Sequence, residues 1–207
     1  MPRQLRNQLP RNLLRINGAV NARSRNLLFT TWTGLPLEAG RPVQVVFRPE
    51  LTAYRGKLLS RADRGTQVYA ATYIRRRKMV LETSLLADPA ALRFIFVHEL
   101  FHFVWVRLGN KTRDEYSGLL LAEIARRARG ELGESSAVKK AELRDDHGVL
   151  PSSALWRDYV GESFCDSAAC LFTGRTVHEG PKLAKRWTAI RRDWFGKNLD
   201  DDRRWAI

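Results

Sequence analysis

Hydrophobic positions fall along the chain in two textures that meet near residue 88. Before it, PVQVVFR (42–48), TQVYAATYI (66–74) and KMVLETSLL (78–86) are short runs rich in Val, Tyr, Thr and Ile, with turn residues such as Gly56, Asp63 and Gly65 between them. Runs of that length and composition predict strands of a small sheet. After residue 88 the apolar positions recur at helical spacing. Asp88 is a good N-cap, Pro89 suits the first helical position, and an apolar run continues to Leu108 before Gly109-Asn110 stops it. This helix is apolar on nearly every side and is therefore expected to be buried. Thr112 to about Arg127 predicts a second helix, Ser153 to Phe172 a third ended by Gly174, and Pro181 to Phe195 a fourth with Trp187, Ile190 and Trp194 on its packed face. Strands first and helices after make an α+β order, a small N-terminal β-sheet packed on a helical core.

Two regions lack a clear period. Residues 1–37 hold Arg3, Arg6, Arg11, Arg15, Arg23 and Arg25 with no acidic residue before Glu38, and they read as a basic N-terminal arm or extension. Residues 130–151 are charged and contain serines, and they read as an insertion with a short helix and loops. The rest suits one domain over 1–207, since a chain of this length buries a substantial core.

Composition then narrows the class. An apolar fraction of 44% with six tryptophans is that of a folded chain, which excludes a disordered one. No segment reaches eighteen consecutive apolar residues, and MPRQLRNQLPRNLLRINGAV lacks the apolar core of a secretory signal, so no transmembrane segment and a cytoplasmic location are expected. Cys165 and Cys170 are five apart on one predicted helix and face different ways, so no disulfide is expected. Lys and Arg number 36 against 22 Asp and Glu, leaving +14. Such a field favours nucleic acid or another polyanion, through the basic arm and the RRRK cluster Arg75 to Lys78.

The chemistry is carried by HELFH, residues 98–102, inside the most apolar helix. Positions i and i+4 share a helix face, so His98 and His102 can offer imidazole nitrogens to one ion with Glu99 beside them. With four histidines in the chain, chance supplies this pattern about 0.004 times. An ionised glutamate in such surroundings needs a compensating charge, which a cation provides. Two histidines do not complete a site. Candidates for a third ligand are Glu162, His147, His178 and Cys165. In YVGESFCDSAACLF (159–172), Glu162 and Asp166 are again i and i+4, so one carboxylate can bind the metal while the other accepts an N–H from a ligating imidazole.

HELFH followed downstream by ESFCD (162–166) resembles the gluzincin type of zinc metallopeptidase. The resemblance implies one Zn2+ ion held by His98, His102 and Glu162, with Glu99 as general base and Asp166 supporting a histidine, most directly His98. It also implies a polypeptide substrate, aligned along a strand at 79–85 beside the HExxH helix, as in minimal zincins. Short zincins of the SprT-like and ImmA/IrrE-like sorts are comparable in scale. The sequence departs from the long metzincin motif, whose third histidine would fall at Leu108. It also departs from thermolysin-like spacing, with sixty residues between His102 and Glu162. An oxyanion donor is still required, and His178, Tyr159 and Arg157 are the candidates. The expected function is thus hydrolysis of peptide bonds. The alternative is a nucleic-acid-associated or regulatory protein with a zincin-like core, which includes a protease recruited to DNA.

Overall fold

The computed structural model describes residues 13–18, 20–38, 40–145, 151–176, 179–198 and 205–207. In chain order its elements are β1 (Leu14–Asn17), α1 (Ala22–Thr33), β2 (Val43–Arg48), β3 (Leu51–Tyr54), β4 (Lys57–Ser60), β5 (Thr66–Gln67), β6 (Ala70–Tyr73), β7 (Lys78–Glu82), α2 (Pro89–Trp105), α3 (Asn110–Ala125), α4 (Glu134–Asp145), α5 (Ala154–Thr173) and α6 (Lys185–Asn198). The fold is α+β, with the strands in the N-terminal half and most of the helices after them.

The principal sheet has the order β1-β2-β7-β6. Strands β1, β2 and β7 run parallel, and β6 lies antiparallel to β7 at the edge. The central position of β7 explains its composition: Met79, Val80, Leu81 and Glu82 are all buried, as expected of a strand paired on both sides and covered by helices. The strand expected to align a substrate, 79–85, is therefore interior over its extended part, and residues 83–87 turn into a 3-10 helix. The free edge beside the helices belongs to β6 instead. A second, antiparallel sheet has the order β4-β3-β5. It leads into the edge of the first through Val68 N–H donating to Leu51 O and Glu82 N–H donating to Tyr69 O.

Asp88 caps α2 by accepting from the N–H groups of Ala90 and Ala91 at 2.9 and 3.0 Å. Because α1, β6 and α5 all pack on it, α2 is apolar around its circumference. Its main partner is α5, and Gly161 is one reason they pack closely: a Cβ there would meet the Trp105 indole nitrogen at 3.3 Å. Phe101 and Trp105 of α2 join Phe164, Phe195 and Trp205 in one aromatic core. Ser153 caps the start of α5, and Gly174 ends it in the left-handed region at φ 70°.

Both regions without a clear period prove to be built into the fold where they are described. Leu14 and Ile16 of the basic lead are buried in β1, and α1 packs on α2, so residues 13–37 are not a detached arm. In 130–145, Glu131, Leu132, Ser136, Lys140 and Leu143 are buried, and α4 packs along α5. That stretch is polar because its charges pair inside the protein. Arg191 donates to Glu123 Oε1 and Oε2 at 3.0 and 2.7 Å and to Glu131 Oε2 at 2.9 Å. Lys140 Nζ and Tyr159 OH donate to Glu131 Oε1 at 2.8 and 2.6 Å. Among the described residues no helix is long and apolar enough to cross a membrane, and Cys165 and Cys170 are free thiols.

Breaking a buried ion pair from one side is costly because the other charge stays behind. Arg191→Met is expected to lower the unfolding free energy by roughly 3–5 kcal/mol in urea titrations. Burial works against the ionised form of Glu131, but the charges of Arg191 and Lys140 hold its carboxyl at about 2, below the ordinary 4.5. The stabilisation it provides is therefore complete above about pH 4.5 and is lost as the pH falls toward 2. Glu131→Gln should flatten the stability curve over that window.

Candidate metal centre

Two helices bring the candidate ligands together. On α2, His98 and His102 lie one turn apart with ring centroids 4.9 Å from each other. On α5, Glu162 faces them. His98 Nε2 is 3.2 Å from His102 Nε2 and 3.2 Å from Glu162 Oε2, and His102 Nε2 is 3.8 Å from the same oxygen. Two nitrogen or oxygen ligands bonded at roughly 2.0–2.1 Å to one tetrahedral zinc lie about 3.3 Å apart. The three atoms are thus at the mutual spacing that one small ion requires, and the donor set of two imidazoles and one carboxylate suits zinc.

Charge supports the same grouping. Burial opposes the imidazolium of His98, yet the carboxylates of Asp166 and Glu162 outweigh it and hold His98 well above its ordinary value. Burial also opposes ionisation of Glu162, but the His98 hydrogen bond and the charges of His102, His98 and Lys139 bring it to about 2. The carboxylates grouped around His98 thus make a setting that favours positive charge.

Asp166 is 1% exposed, and its Oδ1 accepts from His98 Nδ1 at 2.7 Å. Donation from Nδ1 orients the ring so that Nε2, unprotonated in the neutral imidazole, is turned toward Glu162 and His102. Glu99 is 6% exposed, and its Oε2 accepts the hydroxyl of Thr72 at 2.5 Å. Thr72 sits on β6, so the carboxylate of α2 is tied to the free edge of the sheet. A cleft of about 330 Å³ opens here, lined by Ala70, Ala71, Thr72 and Ile74 from the edge, by His98, Glu99, His102 and Val106 from α2, and by Ser135 and Glu162.

Cys165 makes a competing third ligand, since its sulfur and the two imidazoles offer ligand atoms within 4.8 Å of one another. Glu162 Oε2 lies 3.2 and 3.8 Å from the two imidazole nitrogens. Without an ion, burial and the negative charges of Glu162, Asp166 and Glu99 push the thiol well above its ordinary value. Glu162 and Cys165 are thus two candidate third donors, both on α5.

Other candidates fall elsewhere. Tyr159 is fully buried, does not line the cleft and donates to Glu131, so it is not the oxyanion donor; burial and the Glu131 charge raise its hydroxyl well above the ordinary value. Arg157 is exposed and donates to Ser152 O at 2.6 Å, away from the cleft lining. His147 and His178 lie outside the described residues. Arg75 and Arg76 are exposed, but Arg77 stacks over Phe103 at 5.5 Å and donates to the Pro42 and Arg41 carbonyls, so RRRK does not present four free cations. Thr72 and Ser135 were not signalled in the sequence, because they reach the cleft from elements distant in the chain from HELFH. No family model, curated protein or solved structure matches the chain.

Glu162→Ala should weaken zinc affinity by more than about 100-fold, beyond the range typical for losing an outer hydrogen-bond partner. Cys165→Ser should leave it unchanged. Competition with a chromophoric chelator measures both, and a thiolate-to-cobalt charge-transfer band in the cobalt-substituted parent would assign Cys165 instead.

Proposed function

We propose that the chain is a zinc-dependent peptidase that hydrolyses peptide bonds, resembling gluzincins in its ligand set. The observation that carries this reading is the convergence of His98 Nε2, His102 Nε2 and Glu162 Oε2 in an open cleft, with the Glu99 carboxylate on the same wall. A bound zinc ion supplies Lewis-acid polarisation of a carbonyl and lowers the pKa of water.

The residues of the chain supply the remainder. Glu99 is the general base and then the general acid: it takes a proton from the attacking water and delivers it to the leaving amide nitrogen. Its Oε2 is occupied by the Thr72 hydroxyl, which leaves Oε1 as the acceptor and fixes the plane of the carboxylate. Asp166 keeps the proton of His98 on Nδ1, so the other nitrogen stays a ligand. The unpaired edge of β6 offers backbone N–H and C=O groups to an extended polypeptide, a mode of binding that reads main chain rather than side chains. Ala70 and Ala71 are small, which leaves room for a strand to approach.

Glu99→Gln removes the base without removing a ligand. It should keep full zinc content and lose peptide cleavage by at least about 10²–10⁴-fold, assayed on an unfolded protein such as reduced casein. A Gln variant that cleaves as fast as the parent sinks the assignment of Glu99.

A further inference from the structure

The geometry assigns Ser136 and Gly133, at the start of α4, as positioning residues of the metal centre: they hold the Asp166 carboxylate in the orientation that aims His98 at the ion. This inference rests on the zinc-site reading above and extends it to a helix that carries no ligand.

Asp166 has two oxygens, and each has its own partner. Oδ1 accepts from His98 Nδ1 at 2.7 Å. Oδ2 accepts from Ser136 twice, from the backbone N–H at 2.9 Å and from the hydroxyl at 2.7 Å. The Ser136 hydroxyl also lies 3.1 Å from Gly133 O, but it has one proton, and the nearer, charged acceptor takes it. The terminal torsion of an aspartate is broad and roughly two-fold, so a single contact to His98 would not fix it. Two donors on Oδ2 do.

Gly133 closes the other side. A Cβ at this position would lie 2.2 Å from Asp166 Cγ and 2.3 and 2.5 Å from its two oxygens. No side chain fits there while the carboxylate keeps its place. The backbone of residue 133 therefore forms a wall against the carboxylate, and Ser136, fully buried, forms its hydrogen-bonding floor.

The first turn of α4 is itself anchored. Glu131, two residues before Gly133, accepts from Tyr159 OH and Arg191 NH1 at 2.6 and 2.9 Å. Tyr159, Glu162 and Asp166 stand at i, i+3 and i+7 on α5, one face of the helix. Residues 131–136 thus fasten to α5 both before and after the turn that presents Glu162. Movement of this stretch would be felt at His98 through Asp166.

The test compares Ser136→Ala with Leu143→Ala, a cavity at a buried residue of the same helix about two turns further on. Ser136→Ala should weaken zinc affinity by about tenfold or more, measured by chelator competition on folded protein. In zinc-free protein, the His98 Nδ1–H proton should give a downfield, slowly exchanging NMR signal that broadens in Ser136→Ala. Leu143→Ala should lower Tm yet leave both readouts at parent values. Gly133→Ala should weaken affinity further, but the serine arm does not depend on its folding. Unchanged affinity and an unchanged His98 signal in Ser136→Ala overturn the proposal, and so does Leu143→Ala reproducing the same losses. Neither readout needs turnover, so a parent that binds zinc and cleaves nothing defeats the peptidase reading alone. A parent that binds no zinc defeats the metal reading, while the His98 signal still tests the hold on Asp166.

Discussion

The contact between His98 Nδ1 and Asp166 Oδ1, 2.7 Å long and almost wholly out of water, constrains much of the molecule. An imidazole placed on an apolar helix needs a partner for each nitrogen it does not offer to a ligand. Asp166 supplies one, and so fixes which face of α5 meets α2. The carboxylate then needs donors of its own, because a buried anion with one hydrogen bond is poorly compensated. The first turn of α4 provides them. The placement of three helices thus follows from the requirement to bury one histidine without leaving a polar atom unpaired.

The edge of the sheet is drawn in by the same logic. Glu99 is adjacent to His98 and nearly as buried, and its carboxylate finds the hydroxyl of Thr72 on β6. A sheet edge presents unpaired backbone groups and is ordinarily a liability. Here the edge strand has four residues and is fixed to α2 through the carboxylate assigned as the base. Glu99 and the edge strand therefore keep a fixed relation to each other, as the proposed reaction on an extended chain would require.

The elements legible in the sequence are those whose signals are local. Asp88-Pro89 and the long apolar run define α2, and Glu162 and Asp166 stand out because two carboxylates share one face of an otherwise apolar helix. Elements whose signals are masked by charge were not legible. Leu14 and Ile16 alternate inward in β1, but Arg residues around them dominate the composition, and β1 has only four residues. Residues 130–145 read as an insertion with a short helix, and their burial was not legible because Glu131 pairs with Lys140 and Arg191 inside the protein, which composition alone does not reveal. The pairings of Tyr159 and Thr72 were beyond reach for a related reason: their partners, Glu131 and Glu99, are 28 and 27 residues away, and no periodicity links them.

Two polar clusters share one otherwise apolar core, and α5 touches both. Asp166 and Glu162 contact the histidines of the candidate metal centre, while Tyr159 and Ser167 serve the guanidinium of Arg191 and its carboxylates. Aromatic packing alone tolerates sliding and repacking, since rings exchange one apolar neighbour for another at modest cost. Hydrogen-bonded groups do not tolerate it. A slip of α5 by one residue turns it about 100°, which takes Asp166 off His98 and Ser167 off Arg191 at once, leaving charges buried without partners. The Arg191 cluster thus acts on the metal centre without touching it: it makes the wrong rotations of α5 expensive, and the remaining rotation places Glu162 against His98 and His102.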